Sequence, residues 1–243
     1  MGVPGRPDPD PPAAVYLTGE DPVATPFLLL ALSYLLGATP TSHWIGRSVF
    51  GVDLRTKGSG NLGATNTYRV LGWKAALPVV LVDILKGWGP AALFPLFVPG
   101  AGFGWTLAFG GAAISGHIWS FWVGFRGGKG VATSTGVFLA IAPWAILIAA
   151  AVWLLIVLAT GYVSLGSVLG TAVLPVALLL TPHRGGVGPV VFAAVLTAFV
   201  IWTHRSNLRR LARGEESRFG KRGSGGNRSR IAASGDPARE DGS

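Results

Sequence analysis

Apolar residues gather along this chain in runs long enough to cross a lipid bilayer, and short polar segments separate them. The apolar runs cover residues 26–45, 75–98, 103–122, 131–160, 164–180 and 187–202. A helix of about 20 consecutive apolar residues spans the hydrocarbon core of a membrane. The pattern therefore predicts an all-α polytopic integral membrane protein.

The run at 131–160 decides how many transmembrane helices are counted. It holds about 30 residues, too many for one comfortable crossing, and Pro143 disfavours continuation of a helix within it. A hairpin at Pro143 gives seven transmembrane helices, with the loops 47–74 and 123–130 and the tail after His204 on one side. These segments carry most of the basic residues, so that side is predicted to be cytoplasmic. A single crossing would instead move the tail to the opposite side.

Polar segments of low complexity flank the membrane part. Residues 1–25 are rich in Pro, Asp and Gly and lack the basic start of a signal peptide, so a disordered extension is predicted. Residues 26–216 form the predicted membrane-embedded domain. Residues 217–243 are predicted to be a disordered basic tail that can touch anionic lipid headgroups.

Basic residues outnumber acids, and the imbalance is greatest within the membrane part. The chain has 20 Lys and Arg against 11 Asp and Glu, for a net charge of +9. Between residues 22 and 214 the only acids are Asp53 and Asp83, against thirteen basic residues. Because the basic residues lie between apolar runs rather than on one soluble face, this balance favours handling of small anions over nucleic-acid binding.

Asp83 and Lys86 interrupt the second apolar run. They are three residues apart and therefore share one face of a helix. One interpretation is a structural ion pair inside the helix bundle, and the other is contact with a substrate.

The chain contains no cysteine, which excludes thiol catalysis, disulfides and cysteine-ligated metal. The four histidines never occur at the spacing of metal ligands. Neither a metal site nor a cofactor is expected.

The first polar motif, Gly58-Ser-Gly-Asn-Leu-Gly-Ala-Thr-Asn-Thr-Tyr-Arg69, lies between two apolar runs. Its glycines Gly58, Gly60 and Gly63 allow a tight turn in which backbone N–H groups converge on an anion. The motif also offers the neutral donors Ser59, Asn61 and Asn66 and the guanidinium of Arg69. The motif also spells the dinucleotide fingerprint, but its membrane-length apolar flanks argue against a βαβ unit. The remaining alternative to an anion-binding loop is a plain glycine-rich turn.

The second polar motif, Gly127-Gly-Lys-Gly130, also suits phosphate. Its glycines are expected to expose backbone N–H groups, and Lys129 supplies a point charge. It is not a Walker A loop, because Val123 stands where the first glycine belongs and Gly130 stands where Ser or Thr is required. The alternative is a basic connector between transmembrane helices.

The third polar motif, His204-Arg-Ser-Asn-Leu-Arg-Arg-Leu-Ala-Arg-Gly-Glu-Glu216, follows the last apolar run. His204, Asn207 and Leu208 fall on one helical face. His204 can transfer a proton or bind an oxyanion. The alternative is an interfacial histidine followed by a basic stop-transfer segment.

Several catalytic patterns are missing from the chain. There is no Gly-x-Ser-x-Gly elbow, and no histidine is followed five residues later by aspartate. With only Asp53 and Asp83 between residues 22 and 214, a buried base made of paired carboxylates is not expected. A reaction here is therefore expected to stabilise phosphate through cations and N–H groups, on a substrate that is already reactive.

Together the three motifs resemble those of the acyl-phosphate-dependent glycerol-3-phosphate acyltransferases of bacteria, the PlsY family. The resemblance covers about residues 26–220, and the motifs occur in the same order with the same apolar spacing. It implies a multi-pass enzyme of the bacterial inner membrane with seven transmembrane helices and a cytoplasmic active site. The implied reaction transfers a fatty acyl group from acyl phosphate to the 1-hydroxyl of glycerol 3-phosphate. It yields lysophosphatidate and phosphate at the first committed step of phospholipid synthesis.

The resemblance also implies roles for individual residues. Catalytic roles fall to Ser59, Asn61, His204 and Asn207, and substrate-binding roles to Gly58, Gly60, Arg69, Gly127, Gly128, Lys129 and Ser164. Glu216 is implied to be structural. This chain departs from the family at Ser120, where proline is usual, and at Arg126, where lysine is usual.

The implied mechanism is direct transfer, with Arg69 and Lys129 neutralising phosphates. Ser59 and Asn61 would orient the substrates or bind the developing oxyanion, while an acylated Ser59 is the alternative route. Expected partners are acyl phosphate, glycerol 3-phosphate, membrane lipid and a soluble enzyme that supplies acyl phosphate; no nucleic acid is expected. A membrane transporter of phosphate or an organic phosphate anion is the alternative function.

Overall fold

Ten α-helices and two short 3₁₀ segments carry the chain through residues 24–98, 100 and 102–219, which a computed structural model describes. The helices are α1 (Ala24–Ala38), α2 (Thr41–Phe50), α3 (Ala64–Leu71), α4 (Trp73–Leu93), α5 (Gly104–Ile118), α6 (Val131–Ile141), α7 (Pro143–Thr160), α8 (Val163–Leu180), α9 (Gly188–Thr203) and α10 (Arg205–Ala212). The 3₁₀ segments are Phe94–Phe97 and Phe121–Val123. No strand occurs in these residues, so the all-α prediction is confirmed for them.

Several helices have the length and composition of membrane spans. Three qualify alone, and five qualify if the bent pairs α1–α2 and α9–α10 each count as one; α6 is apolar but shorter. Long apolar side chains on α7 and α8 are exposed, among them Leu158, Leu179 and Leu180. Such surfaces suit hydrocarbon rather than water. The architecture is therefore that of an integral membrane protein.

The first apolar run is not the single helix that its length predicted. α1 ends at Ala38, Pro40 precedes α2, and the two helices are bent by 42°. Pro40 cannot donate a backbone hydrogen bond and disfavours helical geometry in Thr39, which explains the break. The predicted interruption at Pro143 is confirmed, because α6 ends at Ile141 and α7 begins at Pro143.

Glycines allow the main helix pairs to approach closely. In the α4–α6 pair, a Cβ at Gly87 would overlap with the Thr133 carbonyl, and one at Gly136 would overlap with the Ile84 carbonyl. In the α1–α5 pair, Gly37 lies against Ala113 in the same way. Small residues at helix contacts are the usual route to tight packing in lipid, where hydrophobic burial supplies little drive. These contacts fix the positions of α4, α5 and α6.

The main apolar core lies among α5 to α9, with Ala91 added from α4. Its fully buried side chains include Val137, Phe138, Leu178 and Val200.

A buried polar cluster joins α4 to α5 and to the α1–α2 corner. The Lys86 Nζ lies 2.7 Å from Asp83 Oδ1 and also donates to the Thr39 carbonyl at 2.8 Å. The Thr41 hydroxyl donates to Asp83 Oδ1 at 3.5 Å, and His117 Nδ1 lies 3.7 Å from the same oxygen. The structural ion pair, one of the two interpretations open from the sequence, is therefore present.

Ser120, at the position where the resemblance implies proline, makes a structural contact. Its hydroxyl donates to the Ala38 carbonyl at the end of α1, and the side chain is buried. Proline could not make this bond. The departure thus affects helix packing and does not reach a polar motif.

The predicted disordered extension at 1–25 and the basic tail at 217–243 lie almost entirely outside the described residues. Only residues 24–25 and 217–219 of these segments belong to the described part of the chain.

The Asp83–Lys86 pair can be tested by single and double substitution. Lys86→Met leaves the Asp83 carboxylate buried without its cation, and breaking a buried ion pair costs about 3–5 kcal/mol of unfolding free energy. We therefore expect Lys86→Met to melt well below the wild type in detergent. The double variant Lys86→Met/Asp83→Asn removes the stranded charge and is expected to regain most of the loss. Equal melting temperatures for the single and double variants would contradict this account.

Candidate active site

One cavity brings the three polar motifs together. It has a volume of about 370 Å³ and lies between α3 and α4, the start of α6, and α7 to α10. Predicted site residues that line it are Ser59, Asn61, Arg69, Lys129, Ser164, His204 and Asn207. The predicted glycines Gly58, Gly60, Gly127 and Gly128 are not among its lining residues.

Asn66 holds the first motif in shape. Its Oδ1 accepts a hydrogen bond from the Ser59 backbone N–H at 2.8 Å, and its Nδ2 donates to the carbonyls of Leu54 (3.2 Å) and Lys57 (3.1 Å). The side chain is 1% exposed. The sequence suggested Asn66 as a donor to an anion. Its side-chain amide instead makes hydrogen bonds within the loop.

Gly58 is required for this arrangement. Its φ is +60°, and a Cβ there would overlap with Asn66 Oδ1. Left-handed backbone favours glycine, and the missing side chain makes room for the amide that binds Ser59. As a result, Ser59 and Asn61 are presented at the cavity, with Arg69 following in α3.

The sequence suggested that the glycines of the second motif offer N–H groups to an anion, but two of these groups, those of Gly127 and Gly128, are already bonded. The Gly127 N–H donates to the Ile118 carbonyl at 2.9 Å, and the Gly128 N–H donates to the His117 carbonyl at 3.1 Å. A Cβ at Gly128 would overlap with the His117 imidazole and the Leu62 carbonyl. These glycines therefore satisfy the last carbonyls of α5 and permit close packing, which brings Lys129 to the cavity.

Lys129 is the half-buried cation of the site. Its Nζ donates to Asn207 Oδ1. Burial lowers the pKa of the Lys129 ammonium to about 8, the Glu216 carboxylate opposes this effect, and the guanidinium groups of Arg210 and Arg69 add to it. An anionic ligand would stabilise the charged form of this group.

Glu216 connects the third motif to the rest of the site. Its Oε1 accepts hydrogen bonds from Asn207 Nδ2 at 2.6 Å and from the Ser164 hydroxyl at 2.9 Å, and its Oε2 accepts one from Arg210 Nε at 2.8 Å. Burial alone would raise the pKa of this carboxyl, but the three hydrogen bonds outweigh burial and hold the pKa below its usual value. An ionised carboxylate only accepts hydrogen bonds, so it fixes the Asn207 amide with its oxygen towards Lys129.

His204 occupies the bend between α9 and α10 and is buried. Its Nδ1 lies 2.9 Å from the Val200 carbonyl oxygen. Because a carbonyl can only accept, Nδ1 carries the proton. In the neutral ring, Nε2 is then the nitrogen with a free lone pair, which suits proton transfer.

The cavity wall includes Asp83, for which substrate contact was one of the two interpretations, and His117, which the sequence analysis did not single out. His117 lies at the end of α5, and only the fold places its imidazole between Asp83 and Gly128.

The deeper part of the cavity is apolar. Its wall includes Ile146, Ala149 and Trp153 from α7, Leu174 from α8 and Leu196 from α9. No group of three His, Asp or Glu side chains in the described ranges could hold a metal ion. The site therefore combines a cationic, hydrogen-bonding end with a hydrocarbon-lined end.

The influence of Glu216 on Lys129 can be measured directly. Glu216→Gln removes the negative charge that favours the ammonium form, so we expect the pKa of Lys129 to fall below about 8. The measurement is a pH titration by ¹³C NMR of reductively dimethylated protein in detergent, with Lys129→Arg assigning the resonance. The control is Glu215→Gln, at the exposed neighbour of Glu216, which is expected to leave the titration of Lys129 unchanged. An unchanged or raised pKa in Glu216→Gln would refute the coupling.

Sequence comparison supports the family implied by the motifs. The family described as glycerol-3-phosphate acyltransferase matches residues 27–214. A relative of that name from Geobacter sulfurreducens is 42% identical over 194 residues, which cover 79% of this chain and 96% of the relative. A relative of the same name from Listeria monocytogenes is 43% identical over 193 residues, with coverages of 79% and 96%.

Solved structures agree with this result. Two crystal structures of PlsY (YgiH), an integral membrane glycerol 3-phosphate acyltransferase, share the fold at 38% sequence identity, and each match covers 81% of this chain and 96% of theirs. The TM-score is 0.73 for the glycerol 3-phosphate form and 0.71 for the lysophosphatidic acid form. Since the match spans most of this chain and nearly all of its relatives, the chain belongs to the glycerol-3-phosphate acyltransferase family.

Proposed function

We propose that this protein transfers a fatty acyl group from acyl phosphate to the 1-hydroxyl of glycerol 3-phosphate, releasing lysophosphatidate and phosphate. The observation that carries the proposal is the cavity itself, which joins a cationic end to a hydrocarbon-lined end. The two substrates need these two environments, because both carry phosphate and one carries a long acyl chain. The relatives are named glycerol-3-phosphate acyltransferases, which supports glycerol 3-phosphate as the acyl acceptor.

The proposed topology has seven transmembrane helices. The crossings are the α1–α2 pair, α4, α5, α6, α7, α8 and α9. The break at Pro143 supports separate crossings by α6 and α7. The basic loops at 51–63 and 124–130 and helix α10 then share one side, the cytoplasmic face of the bacterial inner membrane, where the active site opens.

Lys129 and Arg69 neutralise the phosphates of the two substrates. Lys129 acts as a point charge held by Asn207, whereas the exposed Arg69 offers a fork of donors from α3. Ser59 and Asn61 orient the substrates from the first motif. Holding two anions side by side without repulsion is the main catalytic task, because an acyl phosphate is already an activated anhydride.

His204 assists the acceptor hydroxyl. Its Nδ1 is committed to the Val200 carbonyl, so Nε2 accepts the proton of the glycerol 1-hydroxyl. The hydroxyl oxygen forms a bond to the acyl carbonyl carbon. The bond from that carbon to the bridging oxygen then breaks, phosphate leaves with the electron pair, and the proton passes from Nε2 to phosphate.

Direct transfer is favoured over an acylated Ser59. A serine nucleophile needs an adjacent base. Within the described residues, the Ser59 hydroxyl makes no hydrogen bond to a histidine or a carboxylate, and the motif engages Ser59 through its backbone N–H.

The acyl chain lies along Ile146, Ala149 and Leu174, towards the lipid.

The alternative function, a transporter of phosphate or an organic phosphate, is not favoured. The relatives at 42–43% identity are named acyltransferases. No separate observation supports transport.

The decisive assay is phosphate release by purified protein in detergent, given palmitoyl phosphate with and without glycerol 3-phosphate. Release is expected to require glycerol 3-phosphate and to yield lysophosphatidate. His204→Ala is expected to lower kcat at least 100-fold, since positioned proton transfer contributes about 10²–10⁴-fold, and Lys129→Ala is expected to raise KM for glycerol 3-phosphate.

His183→Ala is the control, because His183 bonds to the Thr181 and Gly186 carbonyls and does not line the cavity. Its activity is expected to equal that of the wild type. Folded wild-type protein without turnover would refute the function, and ping-pong kinetics with a trapped acyl-Ser59 would refute direct transfer.

A further inference from the structure

One buried hydroxyl on the cavity wall has no partner within the described residues. Ser134 lies on α6 and is 6% exposed, and its Oγ makes no hydrogen bond there. The same residue lines the cavity. Buried hydroxyls are nearly always paired in folded proteins, so an unpaired one on a residue of the cavity wall is a candidate for a ligand contact.

Three other hydroxyls on the cavity wall are already bonded. Thr135 donates to the Val131 carbonyl at 3.0 Å, Ser167 to the Val163 carbonyl at 2.9 Å, and Thr171 to the Ser167 carbonyl at 2.7 Å. Each bond is made to the preceding turn of its own helix. Ser134 makes no such bond, so its hydroxyl keeps its proton without a partner in the described part of the chain.

The start of α6 adds donors near Ser134. The helix has 11 residues and begins at Val131, and its N-cap Gly130 provides no side-chain cap. Val131 and Ala132 line the cavity as well. The first N–H groups of a helix lack partners within it and carry a partial positive charge, so they attract a negatively charged oxygen.

The depth of Ser134 indicates which oxygen it meets. Lys129 precedes the helix at the cationic end, and Ser134 lies roughly 6 Å further along the axis than Gly130. Beyond it the wall becomes apolar at Ile146 and Leu174. In an acyl phosphate, the carbonyl is the group between the phosphate and the hydrocarbon chain.

We infer that the Ser134 hydroxyl donates a hydrogen bond to the carbonyl oxygen of the acyl donor, alongside the unpaired N–H groups at the start of α6. This inference rests on the proposed function, because it assumes an acyl phosphate donor. As the glycerol hydroxyl attacks, the carbonyl oxygen gains negative charge, and it returns to a carbonyl when phosphate leaves. A donor already in place stabilises the charged state more than the ground state.

Steady-state kinetics test this role. Loss of one such donor typically lowers kcat about 100-fold, so Ser134→Ala is expected to do the same with palmitoyl phosphate while KM for glycerol 3-phosphate stays unchanged. Ser167→Ala makes the same substitution in the same cavity at a hydroxyl that is already bonded. It is expected to keep the wild-type kcat. Equal kcat values for the two variants would overturn the inference.

A second measurement does not depend on turnover. Infrared spectra of a non-hydrolysable acyl phosphonate labelled with ¹³C at its carbonyl report hydrogen bonds to that oxygen. Its bound carbonyl band is expected at lower frequency in the wild type and in Ser167→Ala than in Ser134→Ala. An identical band in all three proteins would overturn the inference.

The two proposals fail in distinguishable ways. Wild-type protein that releases no phosphate from palmitoyl phosphate overturns the proposed function and the role of Ser134 together. Active wild-type protein with an unaffected Ser134→Ala variant overturns the role of Ser134 alone.

Discussion

The Glu216 carboxylate is the contact on which the geometry of the site depends. It accepts hydrogen bonds from Ser164 on α8 and from Asn207 and Arg210 on α10, and so ties the end of the membrane domain to the bundle. Since a carboxylate cannot donate, it leaves the Asn207 oxygen facing Lys129. The position of the half-buried Lys129 ammonium is therefore set by Glu216, a residue that need not touch substrate.

Close helix packing gives the cavity its two-sided character. Glycine contacts between α4 and α6 hold the start of α6 beside the first and third motifs. Behind them, α7, α8 and α9 provide an apolar wall. Because the polar ends of several helices meet at one level, phosphate groups and an acyl chain can be held by one cavity without burying an unpaired charge in hydrocarbon.

Several residues have roles other than those their sequence pattern suggested, and the reasons are physical. Gly127 and Gly128 stand in a run typical of phosphate loops, yet their N–H groups are taken by the carbonyls that end α5. Asn66 could donate to a ligand, but its side-chain amide is hydrogen-bonded to the loop that presents Ser59. In each case the backbone competes for the same hydrogen bond, and a sequence does not show which partner is nearer.

The sequence by itself determined the all-α membrane class, the break at Pro143, the family, and the chemical types at the site. These follow from run length, proline chemistry and long motifs, all of which are local. Only the tertiary structure decided that Glu216 orients Asn207, that Asp83 and His117 reach the cavity, and that the Ser134 hydroxyl is unpaired there. Those facts depend on contacts that cross turns and helices or on the absence of a competing partner. Both are properties of packing rather than of pattern.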